Sequence, residues 1–134
     1  MIYRKVREVA ATGAIPVVLG GDHSITGGIL QALGAGALAG GEKVALLHLD
    51  AHTDVFTKVP HFLGAKKSAA HWGAYLADQG HVDPAASVQI GIRTTFTGER
   101  TFGFRILFAD EVHESSAADV AKVIAGVVGK NKSY

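Results

Sequence analysis

The chain alternates between two hydrophobic periodicities, and this alternation constrains its fold more than any other feature. Apolar residues at helical spacing occupy positions 2–10, with Gly13 as a helix stop, and residues 16–20 then form an unbroken apolar run that predicts a short buried strand. The same order of helix and strand recurs further along the chain. Because the predicted strands are continuously apolar rather than alternating, they are typical of a parallel sheet covered on both faces. We therefore predict an α/β fold, a three-layer α/β/α arrangement with a parallel sheet.

The remaining elements follow from similar signals. The pattern predicts strands at 44–49, 87–92 and 104–109 and helices at 24–33, 67–79 and 115–128, with a Gly/Ala-rich loop at 34–41. Ser24 and either Ser115 or Ser116 are candidate N-caps, and Gly80 and Gly129 are candidate helix ends.

Composition excludes several classes of protein. The 134 residues are 48% hydrophobic and 19% charged, which suits one folded domain rather than a disordered segment. A net charge of +1 gives no basis for predicting a nucleic acid or a membrane surface as partner, and the absence of cysteine excludes disulfides and thiolate metal ligands. Without a membrane-length apolar run or a signal-peptide h-region, we expect a soluble cytoplasmic protein.

Chemically active side chains follow two of the predicted strands. His23 lies in Gly20–Ser24, after the first strand, and Asp50, His52 and Asp54 follow the strand at 44–49. Residues two apart in an extended chain point the same way, so these three side chains converge if the chain stays extended. Two carboxylates and two imidazoles suit Mn²⁺, Zn²⁺ or Fe²⁺. The alternatives are a helix cap for the first segment and a solvated turn for the second.

The two segments resemble signatures of a known family. Residues 16–26 (PVVLGGDHSIT) and 50–54 (DAHTD) are similar to the first two signatures of the ureohydrolases, the arginase and agmatinase superfamily. Asp83-Pro84 and residues 88–94 (VQIGIRT) resemble the agmatinase branch, and the resemblance extends from about Val6 to Val128.

The resemblance implies an arginase-type fold and a binuclear Mn²⁺ site. His23, Asp50 and Asp54 would bind one manganese, and Asp50 and His52 the other, with Asp50 as the bridge. The implied activity is hydrolysis of a guanidino group, in agmatine or a related compound, to urea and an amine by a metal-bridging hydroxide that Asp54 holds. His71 is the first candidate for the proton shuttle of this reaction.

The resemblance also implies missing parts. In the family, a strand with two further aspartate ligands follows the position of Tyr134, a later strand supplies a glutamate, and further strands precede the first helix. We therefore interpret residues 1–134 as a single partial ureohydrolase domain, a central fragment that lacks these N-terminal and C-terminal strands. Intact members are commonly homo-oligomers, trimers or hexamers. Two alternative hypotheses are a non-catalytic metal-binding or interaction module and a truncated, non-functional gene product.

Other polar residues carry weaker predictions. His61 is the second candidate for the proton shuttle, and we assign His48 to packing and His81 to a loop. The acidic cluster at 110–114 is predicted to be a solvated loop, with a second metal site as the alternative. Residues 56–68, which include Lys58, Lys66 and Lys67, line the substrate entrance or form a solvated loop.

Overall fold

Three parallel strands form the sheet in the computed structural model, which describes residues 1–34, 43–94 and 100–129. The strands are β1 (Leu47–Leu49), β2 (Val88–Ile92) and β3 (Arg105–Phe108), and β2 lies between the other two. The three predicted strands at 44–49, 87–92 and 104–109 are confirmed, although β1 is short. Val44, its predicted first residue, instead forms an isolated parallel bridge with Val82.

Five α-helices accompany the sheet in the described part of the chain. They are α1 (Ile2–Ala10), α2 (Ile25–Leu33), α3 (Trp72–Asp78), α4 (Ala109–Glu114) and α5 (Ala117–Val128). The predicted loop at 34–41 lies outside the described residues except for its first glycine. None of the described helices is long and apolar enough to cross a membrane.

Two helix predictions need correction. The helix predicted at 67–79 begins only at Trp72, because three-residue turns occupy the preceding stretch, where the Ser68 and His71 amides bond back to Ala65 and Ser68. The acidic cluster at 110–114 belongs to α4 rather than to a solvated loop. Its two acids in the first turn interact favourably with the positive end of the helix dipole, which explains the helix.

The apolar side chains form two clusters on opposite faces of the sheet. Ile106 packs against the cluster of Val55, Trp72, Leu76 and Phe104, whereas Leu107, the next residue of β3, belongs to the cluster with Val88 and Val128. Adjacent residues of a strand point to opposite faces. The first cluster therefore lies under α3 and the second under α5, which gives the predicted layers of helix, sheet and helix.

The strand predicted at 16–20 is absent. This segment has no ladder hydrogen bonds with other described residues, and Val17 and Leu19 are 84% and 93% exposed. A strand exists only where a neighbour satisfies its N–H and C=O groups. No described strand lies beside this segment, so an apolar sequence alone does not make it a strand or bury it.

Candidate metal centre

Four side chains converge at the carboxyl end of β1. The potential ligand atoms of His23, His48, Asp50 and Asp54 all lie within 4.8 Å of one another, the one such group in the described parts of the chain. The alternative of a second metal site at 110–114 therefore finds no support there. Oxygen and nitrogen donors in this number suit Mn²⁺, Zn²⁺ or Fe²⁺.

The two carboxylates each turn one oxygen toward the centre of the group. His23 Nε2 lies 2.7 Å from Oδ2 of Asp54, within hydrogen-bond length, and 3.6 Å from Oδ2 of Asp50. His48 Nε2 lies 3.6 Å from each of these oxygens. The result is a cluster of two oxygens and two nitrogens, with His23 on its exposed side.

A bend after β1 decides which side chains enter the group. Oδ1 of Asp50 accepts a 2.8 Å hydrogen bond from the amide of His52, and Asp54 has a left-handed φ of 52°. Such a bond turns the chain within two residues. The condition for convergence of all three side chains, an extended chain after the strand, is therefore not met. His52 lies outside the group with its side chain 54% exposed, while its Nδ1 is 3.4 Å from Oδ1 of Asp50.

The first turn of α3 holds Asp54 in place. Trp72, which is fully buried, donates from Nε1 to Oδ2 of Asp54 at 3.2 Å, and the amide of Gly73 donates to the Asp54 carbonyl at 2.9 Å. A Cβ at Gly73 would lie 2.9 Å from that same carbonyl oxygen, closer than a real Cβ contact. Glycine at this position thus permits the close approach of helix and loop on which the position of Asp54 depends.

His48 is the group member that sequence reasoning assigned to packing. It is buried, as expected, but its ring also faces the carboxylates. A usable signal was present, because His48 and Asp50 are two residues apart at the end of a strand and such residues share a face. Gln89 of β2 is paired with His48 in the sheet. Its side-chain Nε2 donates to the Thr53 carbonyl at 2.6 Å and lies 3.2 Å from His48 Nδ1.

Burial and charge shift the pKa values of three members of the group. Burial raises the pKa of Asp54 to about 6, against the opposing effect of its bond with His23. Burial lowers the pKa of His48. The pKa of Asp50 is lowered, because the His52 amide bond and the nearby histidines outweigh the effect of burial. Asp54 therefore stays protonated up to a higher pH than an ordinary aspartate. A cation would compete with that proton for the same carboxylate oxygens.

The two candidate proton shuttles lie apart from this group. His71 is buried, and its Nδ1 lies 2.6 Å from Ser68 Oγ while its Nε2 lies 2.8 Å from the Val59 carbonyl. The His61 ring stacks on the His71 ring, with 3.9 Å between the ring centroids. Both histidines line a cavity of about 240 Å³ together with Phe56, Thr57, Lys66, Ala74, Tyr75 and Asp78. No member of the four-residue group lines this cavity. His81 contacts the Gly34 carbonyl through Nδ1 at 3.2 Å.

The known proteins that this chain resembles include agmatinases and a guanidino acid hydrolase. The chain is 38% identical to an agmatinase from Sodalis glossinidius over 127 residues, and 40% identical to a human mitochondrial guanidino acid hydrolase over 139 residues. These alignments cover 95% and 99% of the chain and 38% of each relative. A crystal structure of a hypothetical agmatinase from Burkholderia thailandensis matches with a TM-score of 0.81 at 33% identity, covering 96% of this chain and 38% of that one.

The family profile covers more of the chain than any single motif. The chain spans about 38% of the length of the relatives named above. The profile of the arginase family matches residues 1–134, which include both strand ends and every member of the four-residue group. This chain therefore belongs to the arginase family.

Proposed function

We propose that this chain carries part of the metal centre of a manganese-dependent hydrolase that converts a guanidino compound, agmatine or a relative of it, to urea and an amine. The observation that carries the proposal is the convergence of His23, Asp50 and Asp54 to within 4.8 Å, in a chain of the arginase family. The names of its relatives, agmatinase and guanidino acid hydrolase, support a guanidino substrate.

The two oxygens of Asp50 support its proposed role as a bridge between two ions. Oδ2 lies 3.6 Å from His23 Nε2 on the side of the four-residue group, whereas Oδ1 lies 3.4 Å from His52 Nδ1. His23, Asp50 and Asp54 would therefore hold one manganese, and Asp50 and His52 the other. Bound Mn²⁺ would supply activation of a water molecule for attack on the guanidino carbon.

The chain's own residues would hold the reacting groups in position. The Trp72 indole N–H and the Gly73 amide orient Asp54, which we propose as a ligand and as the acceptor that holds the attacking water. His71 remains the proposed proton shuttle, with His61 as the alternative. His71 must release its contact with Ser68 or with the Val59 carbonyl to move a proton, because both of its nitrogens are engaged.

Release of urea tests the proposal. The chain and the full-length hydrolase that contains it are each incubated with Mn²⁺ and agmatine, or with a panel of guanidino acids, and urea is assayed alongside Asp50→Asn and Asp110→Asn variants. We expect Asp50→Asn to abolish activity and Asp110→Asn, an exposed helix residue, to retain it. Absence of urea from the full-length hydrolase with every substrate, or equal activity in its Asp50→Asn variant, would contradict the proposal.

A second candidate function is binding of a single cation without hydrolysis. The observation that favours it is that the described four-residue group contains two carboxylates, enough to neutralise one divalent ion. Calorimetric titration with Mn²⁺ separates the two candidates. Two tight sites support the hydrolase, and one weak site without urea release supports the non-catalytic metal-binding module.

Three finer features stay predictions. They are the identity of the guanidino substrate, assembly into a homo-oligomer (a trimer or hexamer) and a location in the cytoplasm. Size-exclusion chromatography with light scattering tests the second directly.

A further inference from the structure

A buried nitrogen without a partner faces the two carboxylates. His48 is 7% exposed, and its Nε2 has no hydrogen-bond partner among the described residues. It lies equally far, 3.6 Å, from Oδ2 of Asp50 and Oδ2 of Asp54, just beyond hydrogen-bond length. An unpartnered polar atom in such a place needs an explanation, because burying it without a bond costs free energy.

Gln89 explains the state of the opposite ring nitrogen. Its side chain is fully buried, and its Nε2 lies 2.6 Å from the Thr53 carbonyl and 3.2 Å from His48 Nδ1. A carbonyl oxygen only accepts hydrogen bonds, so the nitrogen end of the amide must face Thr53 and the amide cannot be turned round. One amide hydrogen goes to Thr53, and the second points to His48 Nδ1.

His48 Nδ1 must therefore accept this bond and carry no proton. A neutral imidazole with a bare Nδ1 carries its proton on Nε2, the nitrogen that faces the carboxylates. A doubly protonated ring would place two donors, Nδ1–H and the Gln89 amide, against each other. The contacts thus select one tautomer, with the Nε2–H aimed between two carboxylate oxygens.

We propose that Gln89 is a positioning residue that holds His48 as an N–H donor to the Oδ2 atoms of Asp50 and Asp54, so that His48 is not a metal ligand. This inference rests on the proposed metal centre for its consequence, but its first test needs no metal. A small movement of either carboxylate closes the 3.6 Å gaps into hydrogen bonds. Partners that orient ligating carboxylates in this way tune metal affinity without touching the ion.

The competing assignment makes His48 a fourth ligand. It requires a lone pair on Nε2, hence a proton on Nδ1 that points at the Gln89 amide hydrogens. Gln89 would then have to turn and set its own oxygen against the Thr53 carbonyl. The first arrangement sets two buried donors against each other, and the second sets two buried acceptors against each other. Both cost free energy because buried polar groups then lack hydrogen-bond partners.

Nitrogen NMR of the ¹⁵N-labelled chain distinguishes the two assignments. Without metal, we expect His48 to show a protonated Nε2 and an unprotonated Nδ1. On saturation with Zn²⁺, a diamagnetic probe, we expect the His23 signals to shift while the His48 Nε2–H remains. A proton on His48 Nδ1, or loss of the Nε2 proton when Zn²⁺ binds, would overturn the proposal.

Variants extend the test to the role of Gln89. Gln89→Leu removes both amide bonds, and we expect a mixture of His48 tautomers and at least a roughly tenfold weaker Zn²⁺ affinity. Gln79→Leu makes the same change on the exposed end of α3 and should alter neither measurement. An unchanged single tautomer in folded Gln89→Leu would overturn the positioning role, and the wild-type spectrum decides the tautomer even where this variant fails to fold.

Two His48 variants test whether this side chain acts as an N–H donor or as a metal ligand. His48→Gln keeps an N–H donor on a side chain of similar reach, and we expect Zn²⁺ affinity closer to wild type than that of His48→Ala. Equal loss in both variants would support ligation and contradict the proposal. Failure of the chain to bind Zn²⁺ would count against the proposed metal centre, whereas the metal-free spectrum tests the tautomer separately.

Discussion

Two apolar segments of this chain have similar sequences and opposite surroundings. Residues 16–20 and β2 (Val88–Ile92) are both short apolar runs that end near a glycine. In β2 a parallel strand lies on each side and Val88 is fully buried, whereas Val17 in the first segment is 84% exposed. Hydrogen-bonded neighbours, rather than apolar composition, separate a strand from an exposed extended segment.

The same contrast divides the candidate metal centre. His48, Asp50 and Asp54 belong to the strand end that β2 and α3 hold in place, while His23 follows the exposed segment. Among the described residues, the His23 side chain contacts this strand end through Asp54, the His48 ring and the Trp72 ring. We therefore expect the two regions to respond differently to the same substitutions.

The largest difference should appear in stability. Val88→Ala removes two methyl groups from the core and should lower the free energy of unfolding by about 1.5–3 kcal/mol. The matched Val17→Ala substitution is on the exposed segment and should cost less than about 0.5 kcal/mol. Urea denaturation of both variants measures the difference, and equal losses would mean that residues 16–20 are buried in solution.

A smaller difference is expected between the two histidines of the proposed ligand set. His23→Ala removes a member of the four-residue group and should weaken the first bound Mn²⁺ at least about tenfold. His52→Ala should leave that first ion within about threefold and remove the second, because His52 lies outside the group. Calorimetric titration separates the two events, and loss of the first ion in His52→Ala would reverse the assignment.

Low pH should weaken metal binding at Asp54, the residue through which His23 contacts the strand end. The pKa of Asp54 is raised to about 6, so below this pH a proton increasingly occupies the carboxyl that His23 contacts. Because a cation must displace that proton, Mn²⁺ affinity should fall by about fivefold between pH 6 and pH 5. Titration at both pH values measures the change. In Asp54→Asn the affinity should be lower but should lose this part of the pH dependence, and a pH-independent wild type would contradict the prediction.

The smallest expected contrast concerns two helix caps. Ser116 accepts from the Asp119 amide at the start of α5, so Ser116→Ala should cost about 1 kcal/mol. Ser24 occupies the same position before α2, but its side chain makes no capping bond and its hydroxyl instead donates to Asp22. Ser24→Ala should therefore cost less than Ser116→Ala in thermal unfolding. A larger loss at Ser24 would show that the Asp22 contact stabilises this segment.

Much of the fold could be predicted because its signals are local. The apolar run of β2, the caps of α5 and the glycine with φ of 71° after α3 each depend on neighbouring residues alone. The strand at 16–20 could not be judged in this way, because its partners are set by topology. The start of α3 was also missed, since short turns before Trp72 compete with the helix for the same amides.

The candidate site shows the same division. That His23, Asp50 and Asp54 lie near one another was expected from their positions after predicted strands, and the structure does bring them together. The outward position of His52 depends on one bond from its amide to Asp50, and the buried ring of His48 contacts Gln89, 41 residues away along the chain. Periodicity does not contain either contact.

The sequence by itself determined the α/β class, the three strands of the sheet and the chemical type of the candidate ligand atoms, because hydrophobic periodicity and residue chemistry are properties of short stretches. Only the tertiary structure decided which apolar run becomes a strand and which histidines face the carboxylates. Those outcomes depend on hydrogen bonds between segments far apart in the chain, such as those of Gln89 with Thr53 and His48, and such bonds exist only once the sheet has formed.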